Sequence, residues 1–126
     1  MDRNGLEKYI AEVYSTDAEF PWASYPDYMV FRHYGNRKWF AVIMTVPKEK
    51  LGLREEGKLD IVNLKCEPAV IGSLVLERGI FPAYHMSKTN WISVALDGSV
   101  SDNKIEMLLD VSFNLTNKVR LTPNMR

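Results

Sequence analysis

The segment Tyr28-Met29-Val30-Phe31-Arg32-His33-Tyr34-Gly35-Asn36-Arg37-Lys38-Trp39-Phe40-Ala41-Val42-Ile43-Met44-Thr45-Val46 decides how this chain folds. Its two flanks, Tyr28 to Tyr34 and Lys38 to Val46, are dense in Val, Ile, Phe, Tyr and Trp, residues that fit a pleated surface. Gly35-Asn36 between them is a short turn signal, so the segment predicts an antiparallel hairpin. Outward towards the C-terminus, Pro47 to Lys58 is polar and holds Gly52 and Gly57, which predicts a long hairpin loop. Leu59 to Lys65 alternates weakly and predicts a third strand.

The elements around this hairpin are helical or mixed. Leu6, Ile10 and Val13 recur at helical spacing between Asp2 and Thr16 and predict an amphipathic first helix. Phe20-Pro21-Trp22 and Tyr25-Pro26-Asp27 then stop it, and their aromatics are expected to plug the helix against the sheet. Cys66-Glu67-Pro68 predicts a second helix with Pro68 in its first turn, a buried stripe of Ile71, Leu74 and Val75, and a stop at Gly79. From Asn90 to Leu96, alternation puts Ile92, Val94 and Leu96 on one face of a strand and Trp91 on the other. Asp97-Gly98 turns the chain. Ser101 is an N-cap, and Ile105, Leu108, Leu109, Ser112 and Phe113 form the apolar face of a third helix. The tail, 117–126, is expected to be partly mobile. Helix, three strands, helix, one or two strands, helix is an α+β order. It predicts two layers, a mostly antiparallel sheet of about five strands with helices on one face.

Composition bounds the function. A chain of 126 residues with 46% hydrophobic and 25% charged side chains is expected to form one domain around one core. No apolar run approaches the roughly 18 residues of a membrane span, and no signal-peptide pattern opens the chain, so a cytoplasmic location is expected. The single cysteine, Cys66, excludes an internal disulfide and leaves too few thiols for a cysteine-rich zinc site. Lys plus Arg and Asp plus Glu stand at 16 each, so the formal charge is zero. Residues 1–31 carry two basic and six acidic side chains; residues 32–65 carry eight basic and four acidic. The middle of the chain is therefore electropositive, which points weakly to a polyanionic partner.

A set of motifs identifies the relatives. Lys38-Trp39-Phe40-Ala41, Asn63-Leu64-Lys65-Cys66-Glu67-Pro68, Tyr84-His85-Met86-Ser87-Lys88-Thr89-Asn90-Trp91, Asp97-Gly98 and Ser112-Phe113-Asn114-Leu115 occur in this order. Together they resemble the MmcQ/YjbR family over essentially the whole chain. The resemblance implies a fold similar to frataxin (CyaY-like) and to type III secretion chaperones. It also implies DNA binding through two wing-like hairpins, an assignment that rests on shape. The chain departs from the family pattern at Ser87, where asparagine is common, at Asn90, where histidine is common, and at Phe113, where tyrosine is common. Loss of that second histidine weighs against catalysis or metal binding by the motif.

The candidate nucleic-acid or anion-binding residues are Arg37 and Lys38 at the first hairpin, and Lys65, His85, Lys88 and Trp91 around the strand ends. Arg and Lys reach phosphates, and an exposed indole stacks a base. Arg32 and His33 precede the first turn, and Lys48, Lys50, Arg54 and Lys58 punctuate the longer loop, diluted by Glu49, Glu55 and Glu56. The competing reading makes His85, Lys88 and Trp91 structural residues of a strand entry. Cys66 or Ser87 with His85 could be drawn as a nucleophile and base, but no elbow or oxyanion-hole signature accompanies them, so no enzyme is expected. No cofactor or metal is expected. Asp2, Glu7, Glu12, Asp17 and Glu19 are too irregularly spaced for an iron-binding ridge. The expected partner is double-stranded DNA; the alternatives are a protein segment held by Trp22, Trp39 and the six methionines, as in secretion chaperones, or a small anion or nucleotide at the His85–Trp91 segment. A monomer or weak dimer is expected.

Overall fold

The computed structural model describes residues 1–117, so apart from Asn117 the expectation for the tail falls outside the described residues. In chain order the elements are helix α1 (Arg3–Tyr14), strands β1 (Met29–Arg32) and β2 (Trp39–Pro47), a 3₁₀ turn (Lys48–Leu51), and strand β3 (Lys58–Lys65). Helix α2 (Pro68–Leu74), strands β4 (Ile80–Pro82) and β5 (Trp91–Ala95) and helix α3 (Asp102–Thr116) follow. The strands form one sheet in the order β1-β2-β3-β5-β4, every pairing antiparallel. The α+β, two-layer expectation matches this architecture.

All three helices bury their apolar stripes on the same sheet face. Leu6 and Ile10 of α1, Ile71 and Leu74 of α2, and Ile105, Leu108 and Leu109 of α3 pack with Phe31, Ile43, Val62, Leu64, Ile92 and Val94. Capping follows local chemistry. The Asp2 carboxylate accepts from the Gly5 N–H at 2.8 Å, and the Ser101 hydroxyl accepts from the Lys104 N–H at 3.2 Å. Pro68 occupies the first turn of α2, where a missing N–H is harmless. Tyr14 ties α1 to α3 by donating to Asp110 Oδ1 at 3.1 Å and packing on Phe113 at 4.5 Å between ring centroids.

Several local expectations shift. Helix α1 stops at Tyr14, with Ser15 left-handed at φ 50°, well before the prolines, and Val13, on the same helix face as Leu6 and Ile10 but in the last turn, is 54% exposed rather than buried. Helix α2 stops at Leu74; Gly79 instead closes the following turn at φ 85°, where an added Cβ would lie 2.3 Å from Ser99 Oγ. In the first hairpin the left-handed residue is Arg37 at φ 64°, not Gly35, and Asn36 uses its side chain to accept from the Lys38 N–H at 2.9 Å. The Phe20–Tyr28 aromatics do not plug α1. Trp22 and Tyr28 pack on the opposite sheet face, with Val42, Met44 and Ile61.

That second face owes its shape to a bulge. Phe31 pairs with Ala41 but Arg32 pairs with Trp39, leaving Phe40 unpaired. The extra residue sends both Phe40 and Ala41 to the helix side and lets Trp39 join Val42 and Met44 on the other. A 3.6-residue or two-residue period cannot announce such a switch.

Candidate functional site

The sheet face away from the helices is covered by chain segments rather than by secondary structure. Val30, Val42, Met44, Val46, Leu59, Ile61 and Ala95 make its buried floor. The loop between α1 and β1 lays Trp22 and Tyr28 over it, and the β4–β5 connection lays Tyr84 over it.

A buried polar node pins the β4–β5 connection in place. Asn63 and Ser93 are opposite one another on β3 and β5, both fully buried. The Ser93 hydroxyl donates to Asn63 Oδ1 at 2.5 Å and accepts from the Tyr84 N–H at 2.9 Å. Asn63 Nδ2 donates to the Tyr84 carbonyl at 2.9 Å. Both backbone groups of Tyr84 are thus held by buried side chains, which is how a loop can lie on apolar floor without orphaned polar atoms. His85 follows directly in the left-handed region at φ 56°, an uncommon conformation for a residue with a side chain.

Two adjoining cavities open beside this loop. The smaller, about 210 Å³, has Val42 and Met44 as floor and the rings of Trp22, Tyr25, Tyr28 and Trp39 as walls, with His85 and Met86 at its rim. Trp22 stands nearly perpendicular to Trp39 (88°, 5.6 Å) and to Tyr28 (82°, 6.1 Å), and Tyr25 stacks on Tyr28 at 4.7 Å. The larger, about 470 Å³, shares Tyr25, Tyr28 and His85 and adds the polar side chains of Ser24, Asp27, Thr45 and Lys58.

The candidate cations separate into two places. β1 and β3 end, and β2 and β5 begin, at the same end of the sheet. Arg37 and Lys38, Lys65, Lys88 and Trp91 therefore all come to that end. Lys65 is the direct pairing partner of Trp91, and alternation puts both on the open face, half-buried. The Cys66 N–H donates to the Asn90 carbonyl at 2.8 Å, and the Trp91 N–H to the Ser87 carbonyl at 2.9 Å, so the exposed Lys88 sits in an anchored turn. The Pro47–Lys58 loop opens from the opposite end of the nine-residue β2, about 30 Å away at strand rise. The two hairpins are not a pair of wings on one edge. Antiparallel connectivity forces consecutive hairpins to opposite ends. His85 leaves the cationic end and lies on the face, packed against the Tyr84 ring at 4.0 Å.

Part of the positive charge is neutralised. Arg32 Nε and Nη2 bind the Glu19 carboxylate at 2.9 and 2.5 Å, a hydrogen-bonded pair that holds Glu19 below its usual range. Arg37 reaches the same carboxylate at 4.0 Å, and Lys48 pairs with Glu55 at 3.1 Å. Lys38, Lys65 and Lys88 have no carboxylate at ion-pair distance among the described residues.

His33 and Cys66 are embedded in the fold. The His33 ring is buried between Phe40 and Phe113, with Nε2 at 2.7 Å from Thr116 Oγ1, and burial lowers its pKa. Asn36 Nδ2 donates to the Thr116 carbonyl at 2.7 Å, so the hairpin also binds the end of α3. Burial pushes the Cys66 thiol up to about 11, which keeps it protonated and a poor nucleophile at neutral pH.

An α+β domain with one helix-covered sheet face and one loop-covered, aromatic face defines the class. The chain matches the YjbR family over residues 11–115 and belongs to it. It is 41% identical over 116 residues to the uncharacterized protein YyaQ of Bacillus subtilis (strain 168), spanning 92% of this chain and 98% of YyaQ. The crystal structure of a Pseudomonas syringae protein is similar at TM-score 0.91 and 42% identity, covering 93% of this chain and 100% of that one. Deinococcus radiodurans protein DR2400, with a DUF419 domain, shares the fold at TM-score 0.71 and 22% identity, over 98% and 83% of the two chains.

Proposed function

We propose that this protein is a non-enzymatic binding module that holds nucleic acid at the sheet end formed by Arg37, Lys38, Lys65 and Lys88. One observation carries the reading: Lys38, Lys65 and Lys88 share that end with no carboxylate paired to them among the described residues, and Lys65 lies beside the half-exposed Trp91. Unpaired ammonium groups bind backbone phosphates, and an adjacent indole offers a face to an unstacked base. The site supports a backbone grip from one end of the sheet rather than two hairpins straddling a duplex. The buried Cys66, whose thiol stays protonated at neutral pH, supports the non-enzymatic reading by removing one of the two nucleophiles drawn with His85.

The alternative occupant, a protein segment, would need apolar surface. Among the described residues the exposed large apolar side chains lie on α1 (Val13), the α1–β1 loop (Phe20, Tyr25), the first hairpin turn (Tyr34), α2 and the turn after it (Val70, Leu76) and α3 (Met107, Val111). Nucleic acid is favoured by the lysines at the strand ends, unpaired among the described residues, and not by this apolar set.

The test is a salt series of binding isotherms with a short DNA duplex and the matching single strand. Three or four phosphate contacts give a log–log slope of roughly −3 for duplex and somewhat less for a single strand. The Lys65→Glu/Lys88→Glu variant should lose most affinity while melting at a similar temperature. Absence of binding at low salt, or affinity untouched by the double substitution, rejects the reading.

A further inference from the structure

We infer that the aromatic cavity on the open face is a binding site for a small quaternary ammonium compound carrying a polar arm. The argument starts from ring orientation. A flat guest is best held between parallel faces, yet Trp39 and Tyr28 each stand almost perpendicular to Trp22, at 88° and 82°. Walls at right angles converge on a rounded guest. Aromatic faces carry negative electrostatic potential, so a rounded cation gains most from such a corner, and tryptophan faces gain most of all.

The remaining lining agrees with that guest. Val42 and Met44 make an apolar floor, suited to methyl groups and unable to hydrogen-bond a primary ammonium. Among the described residues no Lys, Arg, Asp or Glu lines this cavity, so the rings themselves are what a permanent cation meets there. A volume of about 210 Å³ accommodates a trimethylammonium head. The head's substituent has a direct exit, because the adjoining cavity shares Tyr25, Tyr28 and His85 and presents Asp27, Thr45 and Lys58. A hydroxyl or carboxylate on the arm finds hydrogen-bonding partners there. The rim is preorganised: Asn63 and Ser93 hold both backbone groups of Tyr84, and His85 is set in its left-handed conformation beside them. This site is independent of the nucleic-acid reading, since neither cavity is lined by Arg37, Lys38, Lys65 or Lys88.

Titration of the intact protein with choline and with 3,3-dimethylbutan-1-ol, its uncharged isostere, followed by tryptophan fluorescence and calorimetry, tests the site. Choline should bind, with the isostere at least about tenfold weaker, because only the cation engages the ring faces. Trp22→Leu and Trp39→Leu should each weaken choline by roughly tenfold while leaving the isostere little changed. A thermal melt confirms that each variant is folded, and Tyr25→Ala, at a ring already 54% exposed, supplies a variant with little burden on the fold. Tetramethylammonium, which lacks the arm, should bind more weakly than choline. Equal binding of choline and its isostere, tighter binding of flat indole than of choline, or no choline binding at millimolar concentration overturns the inference.

Discussion

The two faces of the sheet are built on different principles. The helix-covered face is a continuous apolar interior in which Phe31, Phe40, Ile43, Val62, Leu64, Ile92 and Val94 meet three amphipathic helices and are fully buried. Its order comes from non-directional burial, which tolerates many sequences. The open face has an apolar floor too, but its cover is two irregular segments tied down by hydrogen bonds and ring contacts. Loops carry more exposed backbone and pack less densely than helices, so cavities survive there. Both faces bury apolar side chains, but only the loop-covered one also keeps aromatic cavities.

Breaking the helix-covered face should have the largest effect. Phe40→Ala removes a fully buried ring that contacts Tyr14, Phe31, His33 and Phe113, and should cost about 3–5 kcal/mol, read by denaturant unfolding. A loss below about 1 kcal/mol would show that the bulge relaxes and that the face is less tightly specified than burial implies.

Breaking the polar node of the open face should cost less and act more locally. Asn63→Ala strips the Tyr84 carbonyl and the Ser93 hydroxyl of a buried partner, worth about 1–3 kcal/mol. Amide exchange should accelerate over residues 83–90 while α3 stays protected. Uniform acceleration across both faces would mean that the two layers open as one unit.

The smallest expected effect is a pH dependence seated at the helix side. Burial lowers the His33 pKa, so the folded protein keeps the ring neutral where the unfolded chain begins to protonate. Stability is then complete above the unfolded value of about 6.5 and falls as the pH drops below it towards the lowered folded value. Melting temperature should therefore decline between pH 7 and 5 more steeply in the wild type than in His33→Gln. Parallel slopes would assign the decline to other groups.

The residues that were legible in advance share a physical trait: their signal is local or periodic. The Ile92, Val94 and Leu96 alternation, the Ile105 to Ser112 stripe and Ser101 cap of α3, and Pro68 in the first turn of α2 all depend on neighbours within a few positions. The hairpin was legible too, although the residue that turns left-handed is Arg37, because the closing bond from the Arg37 N–H to the His33 carbonyl spans a five-residue turn. The candidate set was legible only in part. Lys65, Lys88 and Trp91 do meet at one strand end, whereas His85 lies over the sheet. Trp22 and Trp39 are singled out by the sequence only as apolar contacts; that they meet Tyr28 around one cavity, and that Asn63 pairs with Ser93, has no local signal, because residues 22 and 39, or 63 and 93, are far apart in the chain.

Sequence alone settled the order of elements apart from the short β4, the helix-facing core apart from Val13, and membership in a family, since helical and strand periods and capping residues express themselves over short distances. The tertiary structure decided which side of the sheet the aromatics of the α1–β1 loop would cover, where the Phe40 bulge switches faces, and that β5 rather than β4 pairs with β3. Those outcomes depend on contacts between residues far apart in the chain, and on a connectivity whose direction no single segment encodes.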